Sequence, residues 1–408
     1  MLRLVSDLNK EKIAIVVVGY NRLYPIQRLL KSLEAANYRE SDIPLVLSID
    51  CGGNDDLNSY VNDYKWPFGE KYVIIHEKRL GLKQHIFSCG DLTKYFKGIN
   101  LLEDDIYVSP CFYNYALDAC SYYDKDSNAA CIALYAKTLN EVVSMRFTPC
   151  KSAYSVYAIQ IAITWGQCWT TRMWKDFRVW LDNFDDTRFE NIDIPDQVKS
   201  YTRAWSKYFY AFLVENGKFV VSPYESYTTN FSEIGEHAMT LNPVAQVPIV
   251  NCYKSCNFAP VNELVQYDSF MNPLHMGKYV GIGDEDLCVD LSGGRKHVSK
   301  RYLLSVEKKT YKVLNQYALA LRPIEENVKK HIQGEGIFLY DTSQVDPYGV
   351  EEHHPIQFLL YYLGGYQTRM LMKVVKYRLL QRLPKKIRLM LKSVSYTHLR
   401  AHETPEHL

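Results

Sequence analysis

The sequence predicts an α/β fold: a doubly wound, mostly parallel sheet with helices on both faces, a smaller mixed C-terminal region and a basic helical tail. Three observations carry this. Aliphatic runs with no polar alternation recur at Ile13–Gly19, Pro44–Ile49, Tyr72–His76 and Asn100–Leu102, the pattern of strands buried on both faces. Segments of helical periodicity separate them, as right-handed crossovers require. Each run ends in polar or acidic residues, where an open parallel sheet gathers its ligands.

Along the first third, Ile13–Gly19 ends in Tyr20-Asn21-Arg22, and Pro25 opens a helix whose Ile26, Leu29, Leu30 and Leu33 share one face. The second strand stops at Asp50-Cys51-Gly52-Gly53-Asn54-Asp55-Asp56, a glycine turn, and residues 58–64 read as helical. A third strand spans Tyr72–His76. Gly81 opens a helix running to about Lys97, and the fourth strand breaks into Glu103-Asp104-Asp105. Three unpaired acids are costly to bury, so a cation at a cleft is the expected partner, and carboxylate oxygens suit Mn2+ or Mg2+. There is no Gly-x-Gly-x-x-Gly and no Walker lysine. A nucleotide here is therefore held by side chains and a metal bridging its phosphates.

Composition narrows the class. The chain has 408 residues, 47% hydrophobic, with a formal charge of +2, which suits a globular protein and argues against nucleic-acid binding. Its 33 tyrosines serve equally as core residues or as faces for sugar rings. The ten cysteines lack paired metal spacing apart from Cys252 and Cys256, and read as free thiols in a reducing compartment. Without a signal-peptide core or an 18-residue apolar run, the expected location is cytoplasmic.

The run Leu45-Val46-Leu47-Ser48-Ile49-Asp50-Cys51-Gly52 and the run Leu102-Glu103-Asp104-Asp105-Ile106-Tyr107-Val108-Ser109-Pro110-Cys111-Phe112 resemble, in order and spacing, motifs of the N-acetylglucosaminyltransferase I family. More loosely, the N-terminal region is similar to bacterial family 2 glycosyltransferases. The resemblance covers residues 13–240 and implies the GT-A fold, a nucleotide-sugar donor carrying UDP, and Mn2+ or Mg2+. It implies Asp105 as metal ligand, Glu103 and Asp104 on the donor sugar and ribose, Asp50 on the uridine, and Arg22 holding the donor. Lys83 or His85 is implied at the diphosphate, although that stretch departs from the family.

In the middle third, Ile161–Thr170 carries Trp165-Gly166 and Trp169, and a helix Arg172–Leu181 leads to Asn183-Phe184-Asp185-Asp186. The Trp-Gly element resembles the segment flanking the acceptor site, so Trp165 and Trp169 read either as a sugar platform or as core. Inverting transfer needs a carboxylate to take the acceptor hydroxyl proton. Asp185 is the first candidate and Asp186 the second, with Asp193 and Asp196 as rivals and solvated loop acids as the plain alternative. Ser206–Val214 reads as a helix and Lys218–Pro223 as a strand; in the loop Thr229–His237, His237 is a candidate third metal ligand.

Domain boundaries are expected at 1–242 (transferase), 243–350 (accessory), 351–392 (basic amphipathic helix) and 393–408 (non-native or disordered tail). The segment Tyr366–Lys392 interleaves Leu, Met and Val with Arg369, Lys373, Lys376, Arg378, Arg382, Lys385, Lys386, Arg388 and Lys392 and contains no acid. An anionic membrane surface is its expected partner. The expected function is transfer of a sugar from a nucleotide donor to a glycan or lipid-linked acceptor in surface polysaccharide synthesis, peripheral to the inner face of the membrane. Two alternatives differ in what they require. A sugar nucleotidyltransferase wants a basic glycine-rich loop, which Gly19-Tyr20-Asn21-Arg22 does not supply; a non-catalytic glycan-binding relative would lack metal-dependent UDP binding.

Overall fold

Seven consecutive residues, Ile13–Gly19, form strand β1, and all are buried. In this computed structural model, which describes residues 11–52, 54–233 and 243–382, β1 is the axis of the main sheet. Helix α1 (Leu23–Glu34) lays Ile26, Leu29, Leu30 and Leu33 against it, each fully buried. Strand β2 (Leu45–Ile49) leads to α2 (Asp55–Asp63), whose first turn is capped by the Asn54 side chain accepting the Asp56 N–H at 2.8 Å. Then come β3 (Lys71–Ile75), α3 (Gly81–Gly90) and β4 (Gly98–Glu103). The α3 helix is shorter than expected, because residues 91–94 tighten into a 3-10 turn.

After β4 the chain forms β5 (Ile106–Val108), α4 (Phe112–Tyr123), β6 (Ala129–Ala133) and a short ribbon of β7 (Leu139–Asn140) with β8 (Met145–Arg146). Next are β9 (Val156–Ile159), β10 (Gln167–Thr170), α5 (Thr171–Asp182), α6 (Asp196–Lys199), α7 (Ser206–Glu215), β11 (Phe219–Pro223), β12 (Thr228–Asn230) and β13 (Gln266–Tyr267). Among the described residues the main sheet has nine strands in the order β13-β9-β11-β6-β10-β4-β1-β2-β3. β3, β2, β1, β4, β6 and β11 run one way; β10, β9 and β13 oppose them. This is the mostly parallel, Rossmann-like and GT-A-like arrangement read from the sequence. β1 pairs with β2 on one side and β4 on the other, so connections diverge there and open a crevice at the strand ends.

The remaining elements are α8 (Gly277–Val280), β14 (Leu287–Asp290), β15 (Tyr302–Ser305), β16 (Tyr311–Tyr317), α9 (Glu325–Lys329), β17 (Ile337–Val345), α10 (Ile356–Leu363) and α11 (Thr368–Arg382). β14, β15, β17 and β16 form a separate mixed sheet, the smaller C-terminal region. Residues 1–354 make one compact unit and 355–408 another. The segment after 243 is not a free linker: β13 edges the main sheet, Tyr123 Oη donates to the Ala259 carbonyl at 2.8 Å, and Tyr135 Oη donates to that of Ala245 at 3.1 Å. Such bonds use the tyrosine-rich composition for internal stapling, since a buried phenol needs an acceptor. All ten cysteines are free thiols.

No described helix is long and apolar enough to cross a membrane. In α10 and α11, Leu360, Met370, Met372, Val374, Val375 and Tyr377 are exposed. Around α11 they alternate with Arg369, Lys373 and Lys376 rather than separating from them, because apolar residues at 370, 371, 372, 374 and 375 point all round a 100° wheel. The expected amphipathic face is therefore absent from α11. Lys385, Lys386, Arg388 and Lys392 lie outside the described residues.

Candidate functional site

The crevice at the ends of β1, β2 and β4 encloses about 220 Å³ and is walled by Tyr20, Arg22, Asp50, Arg79, His85, Glu103, Asp104, Asp105 and Glu233 among others. Four residues expected at the donor (Arg22, Asp50, Glu103 and Asp104) thus meet Asp105 in one place.

Arg22, just past β1, grips Asp104 with both Nε, at 3.1 Å, and Nη2, and Nη2 stands 3.9 Å from Asp105 Oδ2. Burial raises the Asp104 carboxyl to about 6 despite Arg22. Burial, with the charges of Asp105 and Asp104, pushes Glu103 up to about 8. One guanidinium therefore faces three acids. Asp105 Oδ1 is buried without a hydrogen-bond partner, an acceptor with nothing to accept from. These residues fit a hard divalent cation that takes one or two carboxylates and completes its shell with phosphate oxygens. The triplet is not a preassembled three-ligand cage. Among the described residues, the one group of three whose ligand atoms lie within 4.8 Å of one another is Glu307, His353 and His354.

Asp50 serves the loop rather than offering a vacant acceptor. Its carboxylate accepts the Cys51 and Leu80 N–H groups at 2.8 Å and that of Gly81 at 2.9 Å, and pairs with Arg79 Nε at 3.1 Å. Burial would raise this carboxyl, but the Leu80, Gly81 and Cys51 N–H groups outweigh it and hold it below the usual range. Gly81, at φ +71°, turns the chain so that the start of α3 points its N–H groups at Asp50. Arg79 in turn lies over the Tyr20 ring, 3.5 Å from its centroid.

Behind this wall, Ser48 Oγ lies 2.8 Å from His85 Nε2 and 3.2 Å from His76 Nε2. Burial and the neighbouring His76 lower His85 to about 4 from 6.5. Between those values the unfolded chain binds a proton that the folded chain refuses, so stability is intact above pH 6.5 and falls as pH drops towards 4. The full loss is about 3 kcal/mol. Urea unfolding at pH 7 and pH 4.5 should therefore differ by about 3 kcal/mol more in the wild type than in His85→Gln; equal differences would place the titration elsewhere.

The strand pair β5 and β12 brings the last described segment before 234 over the acids: Phe231 N–H donates to the Asp105 carbonyl at 3.0 Å. Glu233 is held by Arg28 at 2.6 and 2.9 Å, and Arg28 lies 3.6 Å above the Phe231 ring. His237 lies outside the described residues.

Other candidates lie apart from the crevice wall. Lys83 Nζ sits 3.9 Å from the centroid of Tyr208, whose hydroxyl donates to Asp186 Oδ2 at 3.2 Å. Asp185 caps the 3-10 turn 186–191, accepting the Thr187 N–H at 2.8 Å, and Thr187 holds its carboxyl below the usual range. Asp193 pairs with Arg295 and Asp196 with Lys296, around a different cavity. Trp165 is half-buried, with Lys137 Nζ 4.6 Å above its ring. Trp169 is fully enclosed by Trp174, Phe177, Trp205 and Phe209, its Nε1 donating to Gln167 at 2.9 Å. It presents no face to a sugar. The platform reading fails for Trp169 because β10 turns it inward beneath α5 and α7.

Arg79, Tyr20 and Glu233 are wall residues that the sequence reading passed over. The basic pair Lys78-Arg79 just before a helix-opening glycine was the available signal.

No protein-family model matches the chain, and no curated protein matches it. Among solved structures it is similar to S. aureus TarS in complex with UDP-GlcNAc, at 18% identity over 57% of this chain and 61% of that one, with a TM-score of 0.37. It is also similar to GalNAc-T7 with UDP, GalNAc and Mn2+, at 14% identity over 54% and 43%, TM-score 0.39. A third is the mannosyltransferase PcManGT from Pyrobaculum calidifontis in complex with GDP-Man and Mn2+, at 10% identity over 43% and 48%, TM-score 0.30. The chain spans under two thirds of the length of each. The fold class rests on the strand order itself.

Proposed function

We propose that the protein is a metal-dependent glycosyltransferase that uses a nucleotide sugar, of the UDP class, and inverts the anomeric centre. The observation that carries this reading is the buried, partnerless Asp105 Oδ1 at a sheet switch point, beside acids that a single arginine cannot neutralise. Mn2+ or Mg2+ bound there would supply charge neutralisation for a departing nucleoside diphosphate. Arg22 fixes Asp104 and so holds the loop that presents Asp105, while Glu103 faces the donor sugar. Asp50 sets Arg79 and the start of α3 as the wall against which the nucleotide lies. Asp186 or Asp185 takes the acceptor proton, and Trp165 offers the acceptor a ring.

The acceptor is a glycan or a lipid-linked sugar, and the setting is surface polysaccharide synthesis at the cytoplasmic face of a membrane. The exposed apolar and basic side chains of α10 and α11 support contact with anionic headgroups. Thermal unfolding of the full chain tests the reading. UDP and Mn2+ together, at about 100-fold over Kd, should raise Tm by about 4 °C, and neither alone should do so. A panel of UDP-sugars under the same conditions should then show one that is hydrolysed. No shift with any nucleotide and either metal would overturn the proposal.

A further inference from the structure

A second metal-binding group lies at the other end of residues 1–354 and does not depend on the reading above. Glu307 follows β15 and is 1% exposed, so its carboxylate is lodged in the protein. Its Oε2 lies 2.6 Å from His353 Nδ1, and its Oε1 accepts the His354 N–H at 3.0 Å and lies 3.9 Å from His354 Nε2. Consecutive residues on an extended chain point to opposite sides. Here His354 takes φ +48°, the left-handed region, and both rings turn to the same carboxylate, stacked with centroids 3.9 Å apart. A non-glycine residue held there is strained.

The space around the three groups is kept open. Gly293, at φ +69°, approaches so closely that a Cβ would sit 2.8 Å from Glu307 Oε1 and 3.0 Å from His354 Nε2. Beyond lies a cavity of about 610 Å³, lined by both histidines, Gly293, Gly294 and His297. Arg295 in the same wall is already spoken for, bonding Asp193 at 2.7 and 2.8 Å and Asp268 at 2.6 Å.

We propose that Glu307, His353 and His354 bind a zinc-class transition-metal ion, with its remaining coordination positions open to this cavity. Two imidazoles and a carboxylate suit Zn2+ and its neighbours rather than Mg2+ or Ca2+. Ligands on a tetrahedral zinc lie about 3.4 Å apart, and the separations of 2.6 and 3.9 Å bracket that value. The ion takes the place of the proton shared by His353 and Glu307, and anchors residues 353–354 onto the end of β15. Its chemistry is distinct from that of the oxygen-only acid triplet.

The test uses the full chain, stripped with chelator and titrated with Zn2+ against a chromophoric chelator. His353→Asn is the safer variant because that side chain is 71% exposed; Glu307→Gln removes the buried ligand. One equivalent of Zn2+ should bind, at least 10-fold more weakly in both variants and unchanged in Asp105→Ala. Co2+ should give visible bands of a low-coordinate site in the wild type and not in His353→Asn. Zn2+ binding that His353→Asn leaves intact, or the absence of Zn2+ binding at micromolar concentrations, would overturn the assignment.

Discussion

Asp105→Ala is expected to abolish the Mn2+-dependent part of UDP binding and to lower turnover by at least ~10³. A divalent ion at a departing diphosphate is worth several kcal/mol, and each 1.36 kcal/mol is a factor of ten. The fold should not suffer. Asp105 is one of the charges that raise Glu103, so its removal relieves repulsion, and the variant without ligand should unfold at the same temperature as wild type or slightly above it. That separates loss of a ligand from loss of structure. A variant that keeps the full UDP and Mn2+ shift would remove Asp105 from the metal site.

Asp186→Asn should leave the UDP and Mn2+ shift intact and reduce transfer by about 10²–10⁴, the range for a lost general base. The choice over Asp185 rests on occupation. Asp185 is committed to capping, and its capping bonds to Thr187 hold it below the usual carboxylate range, which weakens it as a base. Asp186 accepts from Tyr208, whose ring carries Lys83 from α3, the helix that begins at the crevice. Asparagine preserves both the cap and the Tyr208 contact, so neither variant should unfold. Full transfer by Asp186→Asn together with a dead Asp185→Asn would move the base to Asp185.

The strands around the crevice were legible because each is buried on both faces and so reads as an unbroken aliphatic run; β1, β2 and β4 are of this kind. Ala129–Ala133 is equally buried, yet its small side chains carry no such signal, and its strand character comes from pairing with β11 and β10. Ile161–Thr170 reads as one strand, but only Gln167–Thr170 pairs; Ile161 and Ile163 are buried within a loop. Apolarity reports burial there, not conformation. Trp169 shows the same limit, since which face of β10 it occupies follows from register against β4. Asp50 was legible as a site residue by position, whereas its ties to Leu80, Gly81 and Arg79 depend on residues 30 positions away in the chain.

Because β10 runs against β4, with Gln167 opposite Leu101, the chain entering β10 arrives at the edge where β4 releases its acids. Trp165 and Glu103 are thereby set beside each other by sheet hydrogen bonds instead of by mobile loops. A slide of one position would turn every β10 side chain over and carry Trp169 out of its aromatic nest, so the spacing between the two ends of the reaction is locked to the integrity of the core. Changes of substrate in relatives of this chain would then be made by exchanging side chains on either side of that seam, with its backbone kept as it is.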